Sequence, residues 1–140
     1  MFSGTISFDP QKPDTCTFEA KIKASSIDTN DIERDHHLRS IDFFNTTKFP
    51  YISFSSTQSE KIDDSHYQIT GLLTICGQAK EVQLNATYLG LVINEGKSRV
   101  IGWEAETEIA RSEWGIDYGP NMVSDTVMIK IHAQAVEIKE

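Results

Sequence analysis

The stretch "RVIGWEAETEIA", residues 99–110, sets Ile101, Trp103, Ala105, Thr107 and Ile109 at one parity and Glu104, Glu106 and Glu108 at the other. Successive side chains of an extended backbone point to opposite faces, so the segment reads as a strand with one apolar face and one acidic, wet face. The alternation recurs along the chain. "TVMIKIHAQAVEI" (126–138) opposes Val127, Ile129, Ile131, Ala133 and Ala135 to Lys130, His132 and Gln134. "TCTFEAKIKASSI" (15–27) opposes Phe18, Ala20, Ile22 and Ala24 to Thr17, Glu19, Lys21 and Lys23. "HYQITGLLTI" (66–75) gathers Tyr67, Ile69, Gly71, Leu73 and Ile75, and "EVQLNATYL" (81–89) gathers Val82, Leu84, Ala86 and Tyr88.

With "TISFD" (5–9) and "YISFSST" (51–57), these segments make seven strands, separated by the turn signals "DPQKPDT", "KIDDS", "CGQAK" and "INEGKS". Short links pair sequence neighbours antiparallel. One apolar face per strand predicts a single sheet curled on itself, an all-β antiparallel barrel and not a parallel α/β sheet. Only "DIERDHHLRS" (31–40) reads as helix, with Asn30 and Glu33 spaced as a capping box. It is expected to end near Ser40, because Phe49-Pro50 imposes extended backbone before the next strand.

At 140 residues the chain is expected to be one domain, 1–140. The formal charge of −8, from 21 acidic and 13 basic residues, disfavours nucleic acid and electrostatic docking on an anionic membrane, and leaves lipid carriage open. No apolar run has the length of a transmembrane helix, so the chain is not expected to be membrane-embedded. "MFSGTISFDP" lacks the basic and apolar regions of an export signal. Cys16 and Cys76 are too few for a disulfide framework and are expected to be free thiols.

His36 and His37 look at first like chemistry. Consecutive helical residues point about 100° apart, so they do not share an ion, and Glu33 with His37 at i, i+4 lacks a third ligand. No CxxC, HExxH, EF-hand or GxSxG pattern is present, and Ser112 has no histidine near it in sequence. The run Glu104, Glu106, Glu108 lies on the outer face. No metal, no cofactor and no catalytic residue is therefore expected, and the chain reads as a non-enzyme. The bland reading of the helix is a solvated flank with Glu33–His37 and Asp35–Arg39 pairs.

The predicted interior brings together Phe18, Ile22, Phe54, Ile69 and Leu73 with Leu84, Trp103, Ile109, Ile129 and Ile131. Small residues, Ala20, Ala24, Gly71, Ala86, Ala105, Ala133 and Ala135, share that face. Two readings stay open: the large residues fill what the small ones leave, or the small ones leave a ligand cavity, as barrels of about eight strands allow.

The segments "FSGTISFDP", "SSIDTNDIERDHHLRSIDFF", "KFPYISFSS", "ITGLLTICGQAKEV", "IARSEWGI" and "VSDTVMIKI", in this order and spacing, resemble the YceI-like family across nearly the whole chain. The resemblance implies an elongated lipocalin-like β-barrel whose apolar tunnel carries a long-chain isoprenoid, a quinone-like molecule or a fatty-acid-derived lipid. It moves the cavity ahead of the packed core. Family members carry a further strand ahead of "FSGTISFDP", so the barrel is expected to lack the family's first strand. Three outcomes stay open: dimerisation through an exposed strand edge, a helix or loop covering the gap, or impaired binding. The rival function is an edge-pairing interaction module with a collapsed interior; an enzyme acting on bound lipid is a third. Arg34, Arg39, His37 and Arg111 are candidates for a head group at the mouth, since the arginine fork suits phosphate. Arg111 has an alternative role as a loop anchor paired with a carboxylate. Phe43, Phe44 and Trp114 are expected as plug or tunnel-wall residues, or as a core capping one barrel end. Many members of the family are exported, and with no export signal in the sequence shown the compartment stays open between periplasm, secretion and cytoplasm.

Overall fold

A computed structural model describes residues 2–7, 16–93, 95, 96, 99–119 and 122–136. Seven strands follow one another: β1 Phe2–Ser7, β2 Thr17–Lys23, β3 Tyr51–Lys61, β4 His66–Ile75, β5 Gln78–Ile93, β6 Arg99–Ala110 and β7 Thr126–Val136. Every neighbouring pair is antiparallel, and the sheet order is the sequence order. Among the described residues no ladder joins β1 to β7, so the sheet curls into a half-barrel whose two outer strands keep an unpaired edge.

The alternation expected from sequence is the alternation of burial. Trp103 and Ile109 of β6 are buried while Glu106 and Glu108 are exposed, and every second residue of β7 turns inward. Ser56/Gln58 and Tyr88/Gly90 shift the register, and each shift bends a strand and tightens the curl. The β4–β5 turn is two residues long, with Cys76 at φ 51° and Gly77 at φ 74°, the twist that matches a right-handed hairpin.

The helix α1 spans Ile32–Arg39 within the β2–β3 connection. Its cap is Asp31, whose carboxylate accepts from the Arg34 amide at 3.1 Å. Asn30, expected as the cap, instead takes a left-handed φ of 63° and turns the chain into the helix. The helix does not present the i, i+4 pairs expected of a solvated flank. Asp35 is buried, and accepts from the Thr29 amide at 2.9 Å and the Thr29 hydroxyl at 2.5 Å. Those bonds from Thr29, with Arg39 and Arg34 nearby, hold its carboxyl below the ordinary carboxylate range. Arg39 donates to the carbonyls of Ser25 and Ile27, each at 3.0 Å. The helix is thus stapled to the loop it follows by inward-turned charge, not by an apolar stripe.

Gly71 marks the closest approach of β4 to β3. A Cβ there would stand 2.5 Å from the Ser55 carbonyl oxygen and 2.6 Å from the Phe54 ring. Since the backbone cannot retreat without breaking the ladder, Gly71→Ala is expected to cost about 1–3 kcal/mol, the usual penalty of overpacking. Urea denaturation measures it, and an unchanged midpoint would contradict this packing.

Candidate ligand-binding cavity

The inward faces do not pack evenly. At the α1 end, Leu73, Ile75, Val82, Ile109, Trp114 and Ile116 are buried against one another. Trp114 is 1% exposed, and its indole N–H donates to the Leu73 carbonyl at 2.9 Å. Phe43 and Phe44 pack on this cluster from the segment after α1. Phe43, Tyr118 and His37 meet edge-to-face with ring centroids 4.9 to 5.3 Å apart, and His37 Nε2 lies 2.9 Å from Asp42. This end is closed by core.

Toward the other end the interior is hollow. A cavity of about 840 Å³ takes lining from all seven strands, including Gly4–Ser7 of β1 and Ile131, Ala133, Ala135 and Val136 of β7. That volume falls within the range of about 300–1,000 Å³ usual for small-molecule sites. Trp103 is part of the cavity wall, with Ile101 and Ala135 lining it toward the β5–β6 hairpin and Ala105 and Ile131 lining it toward Ile109. Phe18, Tyr67 and Tyr88 surround Trp103 with centroids each 5.2 Å away, a geometry in which aromatic edges meet faces. Burial raises the Tyr67 phenol above its ordinary value, with Cys16 and Tyr88 adding to the shift. Around Trp103, the small side chains of Ala86, Ala105, Ala133 and Ala135 line the cavity.

The sequence candidates therefore divide. Phe18, Phe54, Ile69, Leu84, Trp103 and Ile131 line the cavity. Ile22, Leu73, Ile109 and Ile129 are not among its lining residues; Leu73, Ile109 and Ile129 belong to the packed cluster, as do Phe43, Phe44 and Trp114. Arg34, His37 and Arg111 also stand outside the lining. Arg34 donates to the Thr29 hydroxyl at 2.8 Å and the Thr29 carbonyl at 2.7 Å. Arg111 is buried and spends its fork on four carbonyl oxygens, those of Ser124, Ile116, Tyr118 and Val123, at 2.7 to 3.2 Å. It anchors the β6–β7 connection as one of its two expected roles requires, but through carbonyls in place of a carboxylate.

Sequence reasoning missed Leu91 and Arg99, which line the cavity where β5 and β6 project. The alternation breaks at Leu89, where the bulge before Gly90 (φ 119°) resets the parity so that Leu91 faces inward. Gly90 inside a strand pattern was the available signal.

Neither cysteine forms a disulfide; Cys16 is buried, and Cys76 Sγ donates toward the carbonyls of Phe43 and Phe44 at 3.4 and 3.5 Å. Burial raises the Cys76 thiol above its ordinary value. Among the described residues no three His, Cys, Asp or Glu side chains converge as a metal site would need, and no helix is long and apolar enough to cross a membrane.

The sequence profile described as the YceI-like domain matches residues 1–135. The protein named YceI of Shigella flexneri is 39% identical over 140 residues, which cover 99% of this chain and 72% of that relative. The YceI protein of Salmonella arizonae is 38% identical over the same span. Among solved structures, the Campylobacter jejuni YceI protein superposes with a TM-score of 0.91 at 30% identity, covering 99% of this chain and 82% of that one. Burkholderia cenocepacia BcnA superposes at 0.88 with 26% identity, covering 96% and 84%.

Removing the Arg111 guanidinium would leave buried carbonyls unpaired, each worth about 1–3 kcal/mol. Arg111→Met is expected to lower stability by about 3 kcal/mol or more. Thermal unfolding followed by Trp114 emission reads this, and a melting temperature equal to the parent's would refute the anchor.

Proposed function

The chain belongs to the YceI-like family, and from that premise we propose that its hollow end carries a long-chain isoprenoid or a similar amphiphilic lipid, without chemical turnover. The observation that carries the reading is the cavity of about 840 Å³ lined by Ala86, Ala105, Ala133 and Ala135 together with Phe18, Tyr88 and Trp103. A hydrocarbon chain offers no hydrogen bonds, so its affinity comes from apolar burial, about 0.8 kcal/mol per methylene. A smooth wall of alanines and aromatic edges supplies that burial while demanding little of the ligand's shape. A quinone-like or fatty-acid-derived chain satisfies the same wall.

We place the polar head of the ligand at the open end. Arg99 lines the cavity there, together with Gln134. The guanidinium suits a phosphate or carboxylate head because its planar fork meets two oxygens at once. Asp42 engages His37 at the far, packed end, which leaves that residue a bracing role in this reading.

The rival reading, an interaction module pairing through its edges, is favoured by the unpaired edges of β1 and β7. It is compatible with carriage in a homodimer but not with a collapsed interior. Native mass spectrometry of the purified protein separates them by reading both mass and cargo. A lipid adduct is expected on the parent. Ala133→Phe, which places a ring in the cavity, is expected to lower lipid affinity at least about tenfold, or about 1.4 kcal/mol. A lipid-free dimer, or an Ala133→Phe protein that keeps its adduct, would overturn the carrier reading.

A further inference from the structure

The last rung between β4 and β5 is His66↔Thr87, yet β5 continues to Ile93. Leu89–Ile93 therefore project past β4 as one arm of a hairpin, about 17 Å of chain at about 3.3 Å per residue. The other arm is the start of β6, paired Val92↔Val100 and Ile93↔Arg99. Among the described residues, β7 pairs with it to the Val100↔Val136 rung.

This arm breaks the rule that governs the rest of the sheet. Elsewhere one face is apolar and the other charged, but here both faces are apolar. Leu91 faces the cavity, while Leu89 and Val92 border a second depression on the outer side together with Val100. Leu89 is 55% exposed, Val92 64% and Ile93 66%. Adjacent exposed apolar residues of this kind mark an interaction surface. Its charge departs from the rest as well. Residues 88–103 hold one acid, Glu95, against Lys97 and Arg99, in a chain whose net charge is −8.

We propose that the β5–β6 hairpin is a lipid-surface docking element through which cargo passes between membrane and cavity. A lipid interface covers both faces of a narrow hairpin at once, where a protein partner packed on one face would leave the other wet. In sequence, Lys97 and Arg99 neighbour the apolar arms of the hairpin, and basic residues suit phosphate head groups while the acidic body is held off. The apolar surface is also continuous with the cavity, because Leu91, Ile101 and Val136 line it at the same end. Insertion stays shallow: the unpaired backbone edge of Leu89–Ile93 needs water, which the interfacial zone supplies and the hydrocarbon core does not. The inference rests on the carrier reading for its purpose, though docking itself is measured independently of cargo.

The test uses the full chain and its Val92→Glu/Ile93→Glu variant, neither residue lining the main cavity. Each is floated on a density gradient with vesicles of phosphatidylcholine, alone or with one-fifth phosphatidylglycerol. Geranylgeraniol affinity and transfer of bound geranylgeraniol to the vesicles are measured in parallel. The parent is expected to float, and the variant to lose at least about tenfold in vesicle partition and in transfer rate while keeping its geranylgeraniol affinity. Ile93→Ser alone is expected to show a smaller loss in the same direction. A parent that stays with the soluble fraction, or a variant that floats equally, overturns the docking element. A parent that dimerises through this hairpin without floating overturns it too, in favour of a second copy as the cover. Flotation without geranylgeraniol binding supports docking and removes the carrier reading alone.

Discussion

Trp103 is the ring around which the inward face is packed, at once part of the core cluster and part of the cavity wall. Its neighbours Phe18, Tyr67 and Tyr88 come from three different strands, and their rings meet it at interplanar angles of 84°, 66° and 50°. Rings set edge to face resist sliding, because the positive edge of one sits on the negative face of another. Toward the α1 end, Leu73, Ile75, Val82, Ile109, Trp114 and Ile116 are buried against one another. Toward the other end, alanines stand among the larger lining residues and the inward face encloses a cavity. The molecule therefore resolves the choice between packed core and cavity by having both, in series along one barrel.

Closing one end so firmly explains the expense of the connections. Asp35, Arg39 and Arg111 are charged groups drawn inward to hold loop backbone, and each is satisfied by several hydrogen bonds. A buried guanidinium with four carbonyl acceptors fixes the path of the β6–β7 connection as tightly as a short helix would. At the other end, β5 and β6 project past β4 as a hairpin.

The parity of side chains made the strands and their inward rows legible from the residues alone. "RVIGWEAETEIA" becomes β6 with the faces it announces. What parity does not carry is height along the barrel. Ile69 and Ile109 look alike in sequence and both belong to the core cluster, yet only Ile69 also lines the cavity, because strand tilt and register decide the level of each residue. The arginines were hard to read for another reason. Their partners are carbonyl oxygens, which every residue possesses, so no pattern of side chains marks them. The shift of the cap from Asn30 to Asp31 is a local ambiguity of the same kind, since both side chains can accept from a helix N–H.

The two tryptophans sit on opposite sides of this division, Trp103 at the wall of the cavity and Trp114 within the core. Quenching by a brominated fatty acid, followed in Trp114→Phe and Trp103→Phe proteins, therefore locates a bound chain directly. Lipid in the hollow end quenches the emission of Trp103 strongly and leaves that of Trp114 nearly unchanged. Equal quenching of both, or quenching of neither, would contradict a lipid seated in the hollow end.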